Sequence, residues 1–292
     1  MGEREVRPGA ARILGAMPVQ RPAGSPTPRT VHLGTSGELA RILPDEHDDG
    51  WVLEIGGAVQ SHVDLEHPGR IRYEYLRRMA NVLDAAFPAG EPVRVLHLGA
   101  GALTLPRYVQ ATRSGSEQTA VDLDRELVSF VLAELPMPDG TRLESVVADA
   151  RLAAVDLLMD GARFDAVVLD IGTDAEGTAH LSGAEFYGEL LGLLDDGGVL
   201  LVNVGDDDGL RLLGSQIDAL EEAAAETGAP GPWTLADAGM LERRALGNAV
   251  LAAGPALVVD GLRDRLAAAG PHPAAVLDGA ESASLAERLT RG

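Results

Sequence analysis

Asp170 is the residue best placed to do chemistry. It closes the apolar run Phe164-Asp165-Ala166-Val167-Val168-Leu169 and opens a long polar loop from Ile171 to His180. A carboxylate at the end of a buried strand can take a proton from an attacking amine or hold a cationic substrate. Three more acids stand at comparable points: Asp122 after Thr119-Ala120-Val121, Asp124 two residues on, and Asp149 after Ser145-Val146-Val147-Ala148. Upstream, Val93-Arg94-Val95-Leu96-His97-Leu98 stops at Gly99-Ala100-Gly101. Glycines there let a ligand approach the main chain with no Cβ in the way, and the helix start that follows offers unpaired N–H groups. Asp122, 21 residues beyond Gly101, can accept hydrogen bonds from ribose hydroxyls. The first reading is a pocket for a nucleoside-containing ligand. Gly-x-Gly alone is a weak signal, and a plain strand–turn–helix is its bland alternative. Helix N-capping is the ordinary alternative for Asp124 and Asp149.

Those residues need elements to hold them. Strands are expected at 93–98, 118–122, 142–147, 164–170, 199–204 and 248–253. Helices are expected at 70–86, 102–112, 124–134, 150–159, 182–194 and 208–227. The alternation predicts an α/β fold, a doubly wound, mostly parallel sheet. In such sheets ligands sit outside the C-terminal strand ends, where the acids and glycines fall. Before it, 36–64 reads as three short antiparallel strands with a glycine pair at Gly56-Gly57. So small a unit must pack on something, a partner subunit being one option. Residues 1–30, rich in Arg and Pro, read as a disordered tail. The expected divisions are 1–30 tail, 31–67 small β domain, 68–255 nucleoside-binding domain and 256–292 a C-terminal extension of two short helices.

Composition narrows the chemistry. There are 292 residues and no cysteine, which excludes disulfides, thiol catalysis and cysteine metal sites. All 24 basic residues are Arg, so a phosphate-loop lysine and Schiff-base chemistry are excluded. A net charge of −21 repels nucleic acid and attracts small cations, a polyamine among them. The seven histidines show no metal-ligand spacing. His180 is a second candidate base, against the plainer reading of a solvent-facing loop residue. No apolar stretch long enough to span a membrane and no signal peptide are visible, so a cytoplasmic protein without membrane or metal is expected. Thr104 stands where a dinucleotide fingerprint has its third glycine, which disfavours a dehydrogenase.

Several segments together resemble the spermidine synthases, aminopropyltransferases of the class I methyltransferase-like fold. Gly57-Ala58-Val59-Gln60-Ser61 resembles the family's Gly-Val-x-Gln segment, and Arg72-Tyr73-Glu74-Tyr75 its Tyr-His-Glu helix start. Leu98-Gly99-Ala100-Gly101 stands at its glycine loop. Val121-Asp122-Leu123-Asp124 resembles its Glu-Ile-Asp, and Ala148-Asp149-Ala150 its Gly-Asp-Ala. Leu169-Asp170 opens the counterpart of its Asp-Ser-x-Asp-Pro gate. Glu185-Phe186-Tyr187 and Leu193-Leu194-Asp195-Asp196-Gly197-Gly198 match its Phe-Tyr and Leu-x-x-Gly-Gly. The resemblance covers roughly 37–254. It implies that Gln60, Leu98, Gly99, Gly101, Asp122, Leu123, Asp149 and Ala150 hold an adenosyl co-substrate, decarboxylated S-adenosylmethionine or S-adenosylmethionine itself. It implies Asp170 as the base, Tyr73, Thr173, Asp174 and Tyr187 along the amine or polyamine channel, and a homodimer or homotetramer.

The departures are specific. Ala102 replaces an Asp that grips the donor's ammonium, Thr173 replaces the second gate Asp, and Ala175 replaces the gate proline. Each lost charge-assisted contact is worth about 1.5–3 kcal/mol. These losses would weaken binding of a diamine, yet aminopropyl transfer, which follows the resemblance, stays slightly ahead as the leading expectation. Methyl transfer from S-adenosylmethionine and a non-catalytic nucleoside- or polyamine-binding descendant are the alternatives.

Overall fold

The computed structural model describes residues 11–13, 29–172, 178–206 and 209–291. In chain order the first elements are β1 (Ala11–Ile13), β2 (Arg29–His32), β3 (Leu39–Pro44), β4 (Trp51–Ile55) and β5 (Ala58–Val63). Strands β2 to β5 form an antiparallel sheet in that order, four strands rather than the expected three. The extra strand, β2, pairs Arg29 to His32 with Ile42 to Leu39. It is exposed along most of its length, so no apolar run announced it. The chain before it, expected to lack regular structure, supplies β1 to the large sheet, beside Ser145 to Val147. The rest of that segment lies outside the described residues.

Then come α1 (Glu74–Ala86), β6 (Arg94–Leu98), α2 (Thr104–Thr112), β7 (Glu117–Asp122), α3 (Arg125–Glu134), β8 (Arg142–Val147), α4 (Ala150–Met159) and β9 (Phe164–Leu169). The chain continues with α5 (Ala184–Leu191), β10 (Leu194–Asp206), α6 (Arg211–Thr227), β11 (Trp233–Asp237), α7 (Ala238–Arg243) and β12 (Gly247–Ala253). It closes with α8 (Leu262–Ala269), β13 (Ala274–Leu277) and α9 (Gly279–Thr290). The large sheet has the order β1-β8-β7-β6-β9-β10-β12-β11-β13. Strands β8, β7, β6, β9 and β10 are parallel, while β12, β11 and β13 alternate in direction. This is the expected doubly wound, mostly parallel α/β fold with a small antiparallel sheet before it.

The central strands are buried on both faces, which is why they read as continuous apolar runs. Side chains alternate between two layers. Leu96, Leu98, Val167 and Leu169 face α4, α5, α6 and α9. Val95, Ala166 and Val168 face α1, α2 and α8, where α1 presents Leu76, Met79, Ala80, Val82 and Leu83. The C-terminal extension is not two helices alone, because β13 pairs with β11 from Thr234↔Leu277 to Asp237↔Ala274. Four short residues after two prolines carry no strand signal of their own.

The small sheet rests on the same chain. Ala40, Ile42, Leu53 and Val63 pack against Ala102, Leu103, Ala120, Leu127, Val128 and Val131. Its support is therefore the glycine turn and α3, and no partner subunit is needed to cover that face.

From β6 the chain winds outward through β7 to β8, then returns to the other side of β6 as β9. That reversal opens a crevice above the C-terminal ends of β6 and β9.

Candidate active site

The reversal is tight. Asp170 N–H donates to Leu98 O at 2.9 Å, and Gly99 N–H donates to Val121 O at 2.8 Å. Gly99 has φ +96°, and a Cβ there would lie 2.1 Å from Asp170 O. Only glycine fits between the two strand ends. Gly101, φ +48°, leaves room for the Ser61 hydroxyl, which a Cβ would meet at 2.9 Å. Ser61 Oγ accepts from Ala102 N–H at 3.2 Å, so β5 buttresses the turn.

Above it lies a cavity of about 870 Å³, large enough for a nucleoside and a second small molecule. Gln60, Tyr73, Gly99, Gly101, Asp122, Leu123, Asp149, Ala150 and Asp170 all line it. Two proposed contacts lie elsewhere. Leu98 is fully buried in the core beneath the turn. Tyr187 is buried where α5 packs on α6, and its hydroxyl donates to Gln216 Oε1. The aromatic side chain serves packing because its helix turns that face toward α6. Thr173 and Asp174 lie outside the described residues.

Asp122 accepts from Ala100 N–H at 2.9 Å through Oδ2 and from Asp124 N–H at 2.8 Å through Oδ1. Burial pushes its carboxyl above the usual range, against those two donors. It braces the glycine turn while facing the cavity. Asp149 caps α4, its Oδ1 accepting from Arg151 N–H at 3.0 Å and Leu152 N–H at 3.1 Å. Its Oδ2 lies 2.7 Å from His180 Nε2. Burial would raise the Asp149 carboxyl, but His180 and the two backbone donors outweigh it and hold the group low. His180 is thus half-exposed yet bound to the site, more than a plain solvent-facing residue.

Asp170 sits at the centre. Asn203 Nδ2 donates to Oδ1 at 2.8 Å and Tyr75 Oη to Oδ2 at 3.2 Å. Asn248 Nδ2 in turn donates to Asn203 Oδ1 at 3.1 Å. Burial drives the Asp170 carboxyl up, opposed by Asn203 and then Tyr75. No cation sits on it among the described residues. A buried carboxylate held by neutral donors is a competent proton acceptor. His97 also lines the cavity. Gln118 Nε2 donates to Pro106 O at 3.1 Å, which turns Gln118 Oε1 toward His97 Nε2 at 3.0 Å. His97 therefore carries its proton on Nε2, and burial lowers its pKa to about 4.

Tyr75, Asn203, Asn248 and His97 were not singled out from the sequence. Tyr75 belongs to an apolar stripe and the others to strands, so only the fold brings them to the cavity. Among the described residues no group of three or more His, Cys, Asp or Glu could hold a metal. No helix there is long and apolar enough to cross a membrane.

No family model matches the chain. Two curated relatives, polyamine aminopropyltransferases of Neisseria meningitidis serogroups A and B, are 30% identical over 100 residues, 33% of this chain and 37% of theirs. The match thus spans little more than a third of those relatives. A crystal structure of a probable spermidine synthase from Corynebacterium glutamicum is 25% identical and superposes with a TM-score of 0.77, over 90% of this chain and 94% of that one. The chain is thus similar to a probable spermidine synthase over nearly its whole length. A spermidine synthase in complex with the transition-state analogue AdoDATO shares the fold at 17% identity, with a TM-score of 0.54 over 78% of this chain and 74% of that one.

Ala102, just after the glycine turn, is an interior residue. It is 1% exposed beneath the small sheet, so this position brings no charge to the cavity.

Proposed function

We propose that the chain transfers an aminopropyl group from decarboxylated S-adenosylmethionine to a small-molecule amine. The observation that carries the reading is Asp170, a buried carboxylate with neutral partners, lying against the glycine turn in a cavity lined by Gln60, Asp122, Asp149 and Ala150. Asp122 faces the ribose and Asp149-Ala150 the adenine. Tyr73 and Tyr75, 6.5 Å apart and stacked, wall the path of the amine. Thr173 and Asp174, in the loop after Asp170, are assigned to the same path.

The amine nitrogen attacks the carbon beside the sulfonium. A C–N bond forms, the C–S bond breaks with its electron pair going to sulfur, and a neutral thioether leaves. Asp170 accepts the proton of the new ammonium. No charged leaving group needs help, so catalysis is orientation and exclusion of water. A soluble cytoplasmic homo-oligomer without metal completes the proposal.

Methyl transfer from S-adenosylmethionine is the second reading, favoured by Ala102, which presents no carboxylate to repel the donor's own. The test is product release. Incubation with decarboxylated S-adenosylmethionine and amines should yield methylthioadenosine, and Asp170→Asn should cut the rate about 10²-fold or more. Turnover of S-adenosylmethionine alone, or none sensitive to Asp170, would overturn it.

A further inference from the structure

We infer that Asn248 is a positioning residue that fixes Asn203 as a hydrogen-bond donor, so that a proton taken up by Asp170 comes to rest on Oδ2, against Tyr75. The inference rests on the proposed role of Asp170 as proton acceptor and assigns the oxygen that plays it. Strands β9, β10 and β12 lie side by side in the large sheet. Val168, Leu201 and Val250 belong to the apolar layer that α1 covers. Two residues on, on the same face, stand Asp170, Asn203 and, because β12 runs antiparallel to β10, Asn248. The apolar layer thus ends in a polar row, and all three side chains line the cavity. Gly205 pairs with Asn248 across the strands. A Cβ there would meet Asn248 Nδ2 at 3.3 Å, so the glycine leaves room for the amide.

The row has a direction. Asn248 Nδ2 donates to Asn203 Oδ1 at 3.1 Å, and Asn203 Nδ2 donates to Asp170 Oδ1 at 2.8 Å. An amide has one donor end and one acceptor end. Turned about, Asn203 would set its own N–H groups against those of Asn248. While Asp170 is ionised, the carboxylate by itself holds Asn203 in place. Once Asp170 is protonated that hold is gone, and the bond from Asn248 keeps Nδ2 facing Oδ1. A proton on Oδ1 would then meet a donor. The Tyr75 hydroxyl, 3.2 Å from Oδ2, differs, since a hydroxyl rotates and both donates and accepts. It serves the carboxylate as donor and the acid as acceptor, so the proton is stabilised on Oδ2. Glu74 and Arg78 on α1, His97 on β6, and Asp237 and Arg243 beyond them also line the cavity. None of these hydrogen-bonds Asp170 among the described residues, and none is altered in the variants that test the row.

The test is direct titration of Asp170 through its carboxyl carbon, by 13C NMR on the full chain without ligand, the signal being assigned with Asp170→Asn. Asn248→Ala frees Asn203 to turn and accept from the protonated acid, so it should raise the midpoint by about half a pH unit. In an Asn203→Ala background the same substitution should add nothing. Tyr75→Phe removes a partner of both protonation states and should shift the midpoint less than Asn203→Ala does. An unchanged midpoint in Asn248→Ala overturns the inference. So do shifts that simply add in the double variant, which would mean that Asn248 acts on Asp170 without Asn203, or a Tyr75→Phe shift larger than that of Asn203→Ala. The titration needs no turnover, so a chain that shows the expected pattern yet transfers no aminopropyl group upholds the row and defeats the proposed reaction.

Discussion

At the scale of single residues, Asp170 ties reactivity to instability. Its folded-state pKa is raised, so the ionised form is disfavoured by folding. That penalty is absent below the unfolded value and grows as pH climbs through the raised one. Asp170→Asn should therefore raise the unfolding temperature at neutral pH while it removes turnover, which calorimetric melting beside a rate assay checks. Tyr75→Phe and Asn203→Ala each delete a donor that favours the carboxylate. Both should move the acid limb of the kcat/KM profile to higher pH, Asn203→Ala further because its bond is the larger opposing influence. His97 has the opposite sign. Its lowered pKa means that stability is lost as pH falls from about 6.5 toward about 4, while the unfolded chain takes the proton. His97→Gln should flatten the unfolding temperature across that window. Asp170 was legible because it ends an apolar strand in a chain of alternating elements. Its donors were not, since Asn203 and Tyr75 reach it from segments 33 and 95 residues away.

At the scale of elements, the glycine turn and the small sheet act as one part. Ala102 and Leu103 are buried against Ile42, Leu53 and Val63, so the turn is clamped from above by β3 to β5 and from below by Asp122. Placing a carboxylate at position 102 would bury it unpaired. Ala102→Asp should cost about 2–4 kcal/mol in denaturant unfolding, and should not by itself improve binding of a diamine. The strand–helix alternation was legible from the apolar runs, and the site's acids from their place at the strand ends. The strands β2 and β13 were missed for contrasting reasons. One is exposed and has no apolar pattern, and the other is a short edge strand specified by its partner β11. Tyr187 was misplaced because a Phe-Tyr pair near a pocket in sequence says nothing about which way its helix turns.

At the scale of the molecule, a charge of −21 repels itself. Screening that repulsion should stabilise the fold, so the unfolding temperature should rise between about 0.01 and 0.15 M salt, where the Debye length shrinks from about 30 to about 8 Å. The same field attracts small cations, and the cavity extends over the strand ends from β6 to β8 on one side and from β9 to β11 on the other; the proposal places the adenosyl donor on the first half and the amine on the second. The central claim concerns the first half, and calorimetric titration of the purified chain with methylthioadenosine and S-adenosylhomocysteine tests it most directly. Saturable binding of methylthioadenosine, tighter than that of S-adenosylhomocysteine and lost in Asp122→Ala, is the result the account predicts. Binding of S-adenosylhomocysteine alone, or of neither, would contradict it.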